Sequence, residues 1–444
     1  MKCEECRELL IAYHKGELED QQRVAVESHL DQCVACQAES EGTRRLLATL
    51  EKADEEPVRR IAEKIIERAI DERASDIHIM PESERLQVYL RIDGVLQHIL
   101  TLPTYVTEPL AARLRVMAEV PVTKTAVPQD GRIHVRHEDR DYDLRVSFMP
   151  AAAGTSVVIR VLDPSGVMLS LEDIGMNAEI RESFDGLLHR PNGIVVVSGP
   201  TGSGKTTTHY AALKSLIRPE VAVFSVEDPV EYRIDGMTQI PINREAGVSL
   251  ASAMRHVLRQ DPDVIMLAEI RNPETLQLCV TAAMTGHLVL TTLHTNDAVQ
   301  AIRRMADVGL ERFMIAESLI GVLAQRLVRK IHRECATMHE VTDAQRQWLK
   351  RAGVAQPPDT LKRGMGCAEC RNTGHRGRTA IHELLVIDDE LRLMIGGDTD
   401  LREVELAAAE RRTPMRNEAA RKVVAGDVDI REAMRVTAFA PEYD

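Results

Sequence analysis

Gly199-Pro-Thr-Gly-Ser-Gly-Lys-Thr206 decides the fold of this 444-residue chain; the apolar run Gly193-Ile-Val-Val-Val-Ser198 leads into it and a helix-compatible segment to about Ile217 leads out. Strand, glycine-rich loop and helix in that order place phosphate at a helix N-terminus. Backbone N–H groups crowd onto phosphate only where side chains are absent, which is the task of Gly199, Gly202 and Gly204. Lys205 reaches the terminal phosphates, and Thr206 presents a hydroxyl to Mg²⁺. Pro200, Thr201, Ser203 and Thr207 complete the expected nucleotide-contacting set.

Working outward, the segments after the loop alternate strand and helix. Apolar strands are expected at Val221 to Val226, Val264 to Ala268 and His287 to Thr291, as in a mostly parallel sheet covered on both faces. Ahead of the loop, an amphipathic helix carrying Val58, Ile61, Ile65, Ala69 and Ile70 on one face precedes strands at Asp76 to Met80, Leu86 to Ile92, Gly131 to His137, Asp141 to Phe148 and Ser156 to Leu162. The charged stretch Glu51-Lys-Ala-Asp-Glu-Glu-Pro57 separates this part from three short helices at Cys3 to Tyr13, Leu18 to Leu30 and Ala38 to Leu50. The expected fold class is α/β: a RecA-like P-loop NTPase core, preceded by a small α+β domain and an N-terminal helical zinc-binding module. The expected division is 1–50 for the helical module, 58–165 for the α+β domain, 166–330 for the P-loop domain and 331–444 for a cysteine-bearing insert with a helical region.

Composition narrows the function classes. A net charge of −13 opposes indiscriminate attachment to phosphate backbones, so no direct nucleic-acid partner is expected. The longest apolar stretches have the length of buried strands rather than membrane spans, and a cytoplasmic protein is expected. All but one of the eight cysteines fall in two clusters close to histidines, which favours metal binding over disulfides in a reducing compartment. Cys279, in an apolar helical stretch, reads as core.

Hydrolysing a terminal phosphoanhydride requires Mg²⁺, a carboxylate to orient water and cations to stabilise the transition state. Glu269 follows the apolar run Val264-Ile-Met-Leu-Ala268, which places it at the carboxyl end of a core strand beside the P-loop, the position of an acid that activates water or, as the alternative, serves Mg²⁺ from its outer shell. Glu227, Asp228 and Glu231 follow the strand ending at Val226. His287 and His294 flank a strand seven residues apart, so an ideal strand points them to opposite faces.

Several further segments carry a resemblance. Ser75-Asp-Ile-His78, Arg91-Ile-Asp-Gly94, Pro128-Gln-Asp-Gly-Arg132, Val226-Glu-Asp-Pro-Val-Glu-Tyr232, the stretch Leu258 to Arg271 and Thr285-Gly-His-Leu-Val-Leu-Thr-Thr-Leu-His-Thr-Asn296 together resemble the secretion ATPases that drive type II secretion and type IV pilus assembly, over about residues 58–440. The resemblance implies ATP and Mg²⁺ as cofactors, a homohexamer, and an inner-membrane platform protein as partner, with membrane association indirect. It implies that Glu227 supports Mg²⁺ and the catalytic water, that His287 and His294 lie near the γ-phosphate with either able to sense it, and that Arg145 and Arg160 swing against the phosphates.

Cys367-Ala-Glu-Cys370 resembles half of the metal-binding insert of that family. The upstream half, Cys335-Ala-Thr-Met338-His339, carries Met where a second thiolate is expected, so His339 or His332 is needed to complete a Cys₃His set. At the amino terminus, Cys3, Cys6, His29, Cys33 and Cys36 offer five candidates for four Zn²⁺ positions. Their His-x-x-x-Cys-x-x-Cys half resembles the helical zinc-binding domain of anti-sigma factors, where Cys3 matches the upstream ligand better than Cys6. The module then substitutes as a docking element for the larger amino-terminal domain usual in secretion ATPases.

Overall fold

A computed structural model describes residues 3–438 apart from 16–17, 34–35, 38–39, 42–43, 45–55, 163–168 and 271. The third expected helix, Ala38 to Leu50, falls mostly outside the described residues. The chain divides into two compact units, 1–164 and 165–444.

In the first unit, helices Cys3–Lys15 and Asp20–Leu30 enclose a small core of Cys6, Leu10, Val26 and Cys36. Helix Glu56–Asp71 buries Val58, Ala62, Ile65, Ile66, Ala69 and Ile70, the stripe its 3.6-residue period dictates. That stripe and helix Thr107–Met117 share one core with a six-stranded antiparallel sheet. Its strands are β1 (Asp76–Pro81), β2 (Arg85–Ile92), β3 (Val95–Pro103), β4 (Gln129–His137), β5 (Arg140–Ala151) and β6 (Gly154–Leu162), in the order β3-β2-β1-β6-β5-β4. The sequence does not announce β3: it is an edge strand without a buried residue, so it lacks the in-out alternation that marks the others.

The second unit carries the P-loop. A seven-stranded sheet runs β15-β12-β7-β11-β10-β8-β9, from β7 (Gly193–Ser198), β8 (Val223–Glu227), β9 (Thr238–Pro241), β10 (Val264–Leu267), β11 (Leu288–Leu293), β12 (Leu319–Ile331) and β15 (His375–Val386). All neighbours are parallel except β15, which closes one edge antiparallel to β12. Alternate residues feed opposite faces. Ile194, Val196, Ile265 and Leu267 join one core, whereas Val195, Val264 and Met266 join the other. Between β12 and β15 a hairpin of β13 (Ala336–Glu340) and β14 (Thr360–Gly364) forms a separate two-stranded sheet.

The expected boundary at 330/331 does not divide the fold. β15 is a strand of the P-loop sheet, and the helices between Asp389 and Thr437 share its core through Leu391, Val404, Ala419 and Ala433. β12 has no sequence signature of its own: its first half, Leu319 to Ala324, is a short apolar run with no period to separate buried strand from buried helix, and Gln325, Arg326, Arg329 and Lys330 interrupt the second.

Two histidines are sealed in this unit. His209, on helix Lys205–Leu216, is held at about 4 by burial and the Lys205 charge, opposed by a bond to the Thr291 backbone. His382, on β15, is held at about 3 by burial and the Lys422 charge, and neither ring nitrogen has a hydrogen-bond partner. Both are neutral when folded, while an unfolded histidine titrates near 6.5. The unfolded chain therefore takes up protons first, and stability is expected to fall as pH drops below about 6.5, by up to roughly 1.4 kcal/mol per pH unit for each histidine. Urea melts at stepped pH should show that slope, and His382→Leu should flatten it by about half. A pH-independent melt between about 6.5 and 5 would contradict the assignment.

Candidate functional site

The P-loop turns on backbone that only glycine adopts without strain. Gly199, Gly202 and Gly204 have φ of 151°, 76° and 90°. A Cβ at Gly199 would lie 2.5 Å from the Gln325 carbonyl oxygen and 2.6 Å from Ser203 Oγ, so the loop admits no side chain there. Helix Lys205–Leu216 starts immediately after Gly204, aiming its first N–H groups into the loop. Thr206 is exposed, Thr207 half-buried and Ser203 buried. Lys205 Nζ donates to the carbonyls of Gly199 at 2.8 Å and Pro200 at 3.0 Å, which folds the ammonium back over the loop. Burial pulls that ammonium below its ordinary value, and the Glu269 carboxylate opposes the shift.

Glu269 stands just beyond β10, which lies two strands from β7, at the carboxyl edge where open α/β sheets bind ligands. His294 Nε2, just beyond β11, is 3.4 Å from Glu269 Oε2. Pro200, Thr201, Glu269, His294 and Arg303 line a cleft of about 970 Å³. The structure thus brings Lys205, Glu269 and His294 to one rim. His287 is elsewhere: its Nδ1 bonds the Ala282 carbonyl at 2.8 Å and secures the end of helix Pro273–Met284. Arg271 lies outside the described residues.

Glu227 differs from the expectation that it serves Mg²⁺ and water. It is 2% exposed, and both oxygens are occupied. The Tyr210 hydroxyl donates to Oε2, and the Ser225 hydroxyl and Gln239 Nε2 donate to Oε1 at 2.6 and 3.1 Å. Burial and the adjacent carboxylate hold the Tyr210 phenol far above its usual range. Glu227 is thereby a buried acceptor tying β8 to helix Lys205–Leu216, whereas Glu269 lines the cleft. Asp228 is paired with Arg244 at 2.7 Å.

In the first unit, strand register produces something no single segment displays. Arg132 is opposite Arg145, Arg145 opposite Arg160, Arg160 opposite Asp76, and Asp76 opposite Arg91, so five charged residues form one row across β4, β5, β6, β1 and β2. Leu144, Val146 and Ile159 flank the row on the core face, so the charges occupy the other. Asp76 accepts from Arg160 at 3.3 Å and lies 3.7 Å from Arg91. One carboxylate among four guanidiniums leaves a net positive row, and like charges directly opposite are destabilising unless an anion joins them. A cavity of about 460 Å³ opens beside Arg132, Arg145 and Arg160.

The donor sets for a metal come together twice. At the amino terminus, ligand atoms of Cys3, His29, Cys33 and Cys36 lie within 4.8 Å of one another. Cys3 Sγ and Cys33 Sγ are 3.8 Å apart, and His29 Nε2 is buried without a hydrogen-bond partner. Tetrahedral Zn²⁺ with Zn–S bonds of about 2.3 Å has edges of about 3.8 Å, so the donors fit. Cys6, also expected as a ligand, is instead fully buried in the apolar core, one helical turn from Cys3.

The second set is His332, Cys335, Cys367 and Cys370, with thiol separations of 3.8 Å and 3.7 Å to Cys370 and 3.4 Å from Cys367 Sγ to His332 Nδ1. Here the fourth donor is His332 and not His339. Chain direction is the reason: His332 follows β12 into the turn Arg333–Cys335, whereas His339 and Met338 are carried off on β13, both exposed. Glu369 Oε2 lies 3.5 Å from His332 Nε2, placing a carboxylate behind the ring as in ordinary zinc centres. Burial alone would raise the Cys370 thiol, but N–H groups of Cys367 and Gly374 and the neighbouring thiols bring it down to about 6, ready to ligate. Zn²⁺ at either centre supplies a structural crosslink.

Metal analysis of the purified chain should find about two Zn²⁺ per chain. His332→Ala or Cys370→Ser should leave about one, while His339→Ala and Cys6→Ala should change nothing. Loss of metal in His339→Ala with retention in His332→Ala would reverse the assignment.

Comparison with known proteins follows the same division. A family model described as type II/IV secretion system protein matches residues 51–435, and one described as a putative zinc finger matches residues 3–37. The chain is 42% identical over 390 residues to the type II secretion system protein E of Pseudomonas aeruginosa, covering 87% of this chain and 77% of that protein. It is 42% identical over 388 residues to the type II secretion system ATPase E of Vibrio cholerae, with the same coverage. Among solved structures, the Legionella pneumophila ATPase DotB aligns with a TM-score of 0.64 at 22% identity over 85% of this chain and 95% of that one. The ADP-bound pilus retraction motor PilT aligns with a TM-score of 0.59 at 24% identity over 85% and 96%. These two likenesses concern the fold.

Proposed function

This chain belongs to the type II/IV secretion system protein family, and we propose that it is the motor of a type II secretion or type IV pilus assembly system, hydrolysing ATP as a homohexamer against an inner-membrane platform protein. The observation that carries the reading is the rim on which Lys205, Glu269 and His294 meet at the mouth of the P-loop. Mg²⁺ and ATP supply the reacting phosphate and its charge compensation. Lys205 and the loop N–H groups hold the triphosphate, Glu269 orients water, and His294, beside it, senses the γ-phosphate.

The arginine row supports a second half of the mechanism. Arg145 and Arg160 are mutual neighbours on a cavity wall where three guanidiniums, with Arg132, face the two carboxylates of Asp76 and Asp130, a balance that suits a phosphate group. Their arrival at the nucleotide couples domain motion to hydrolysis. Identity at 42% to secretion proteins favours secretion over retraction, since the likeness to a retraction motor lies in the fold. No helix among the described residues is long and apolar enough to cross a membrane. In this reading the chain attaches through its platform partner at the cytoplasmic side. The zinc module at residues 3–37 is the docking element in this reading.

A ring whose sites are completed by arginines should turn over slowly when dilute. Specific ATPase activity is expected to rise roughly tenfold or more as the chain assembles, tracked by phosphate release against mass photometry. Arg145→Ala should lower the assembled rate to about that of the dilute chain. Full activity in a demonstrably monomeric sample would remove the hexameric reading.

A further inference from the structure

Two adjacent residues of β12 reach the two loops of the catalytic rim from opposite faces of the sheet. β12 runs beside β7 with Ala324 opposite Ser198, which sets Gln325 and Arg326 level with the start of the P-loop. Successive strand residues face opposite ways. Gln325 shares the face of Leu323, which packs with Tyr210 and Ala211 of the P-loop helix, while Arg326 shares the face of Ala324 and Val328 in the other core.

Gln325 is 1% exposed, and its amide is engaged at both ends. Nε2 donates to the Ser203 carbonyl at 2.8 Å, inside the P-loop, and Oε1 accepts from the Thr208 hydroxyl at 2.7 Å, on the following helix. The loop is also seated on this residue sterically: a Cβ at Gly204 would come within 3.2 Å of its Nε2. Arg326, 8% exposed, donates to the Asn296 carbonyl at 3.3 Å and to the Val436 carbonyl at 2.7 Å. Asn296 lies two residues beyond His294, in a loop whose Thr295 hydroxyl bonds Ser198 at the end of β7.

We propose that Gln325 and Arg326 are positioning residues of the hydrolytic site: Gln325 sets the shape in which the P-loop receives triphosphate, and Arg326 sets the loop that presents His294 beside Glu269. Neither touches reacting atoms. Each acts on a different loop, so their effects on turnover separate. Losing the Gln325 bonds loosens ground-state phosphate binding, whereas losing the Arg326 bonds displaces groups needed at the transition state.

The inference rests on the ATPase reading, and the test distinguishes the two. Gln325→Met keeps side-chain length and Arg326→Met keeps an unbranched apolar stem; both remove the polar contacts. Gln325→Met is expected to raise KM for ATP about tenfold with kcat within about threefold, and Arg326→Met to lower kcat about tenfold with KM within about threefold. Gln325→Glu keeps the Thr208 bond but cannot donate to Ser203, and Arg326→Lys keeps a single donor group; both should show the same split, reduced. If a Met variant does not fold, its Glu or Lys counterpart carries the comparison, with melting temperature as the control. Parallel changes in KM and kcat for both residues, or no change in either, overturn the clamp. A wild-type chain without turnover would instead overturn the ATPase reading.

Discussion

Glu269→Gln is expected to reduce ATP turnover by about 10²–10⁴-fold while leaving nucleotide affinity within a few-fold. The substitution keeps the side chain's shape and removes its charge. Glu269 is only 18% exposed, contributes to the field on Lys205 and has His294 3.4 Å away, so its carboxyl group faces the cleft between the Lys205 ammonium and the His294 ring. A carboxylate there accepts a proton from, or orients, the attacking water; an amide does neither. Binding of a fluorescent ATP analogue should therefore survive in the variant while phosphate release collapses. Release at the wild-type rate would move the acid elsewhere, and Glu227, saturated by Tyr210, Ser225 and Gln239, is poorly placed to take the role.

Lys205→Ala should fail at the earlier step. The ammonium has three donors, and two already bridge to Gly199 and Pro200 carbonyls, so it both braces the loop and brings positive charge to where the terminal phosphates lie. Loss of a charge-assisted contact of about 3 kcal/mol corresponds to roughly a hundredfold weaker triphosphate binding. Turnover should fall with it. The fold should persist, because the side chain lies on the loop and not in either core: circular dichroism and the melting temperature should stay within a few degrees of the wild type. Unimpaired hydrolysis, or a variant that unfolds, would contradict this assignment in different ways.

The contrast between the two metal centres shows where legibility ends. Both clusters were visible as Cys-x-x-Cys spacings, yet each left one ligand undecided. Cys3 and Cys6 are one turn apart on one helix, and which of them faces His29 depends on how that helix packs. His332 and His339 lie three and four residues from Cys335, on either side of it in sequence. Only the turn at Arg333–Cys335 and the departure of β13 separate a donor from an exposed residue. The same limit applies to the arginines, which sit far apart in sequence and become neighbours through antiparallel register.

Legible from chain order alone was the composition of the P-loop rim: the strand, the glycine loop, Lys205 and the acid at the end of an apolar run are local features, governed by backbone freedom and by the period of buried strands. Everything built from distant segments came instead from how the strands and helices pack. The Gln325–Arg326 clamp, the saturation of Glu227, the arginine row and the choice of His332 arise from which strand lies beside which and in what register. Strand pairing joins residues without a sequence-local signal, so these contacts could be read only once the sheets had formed.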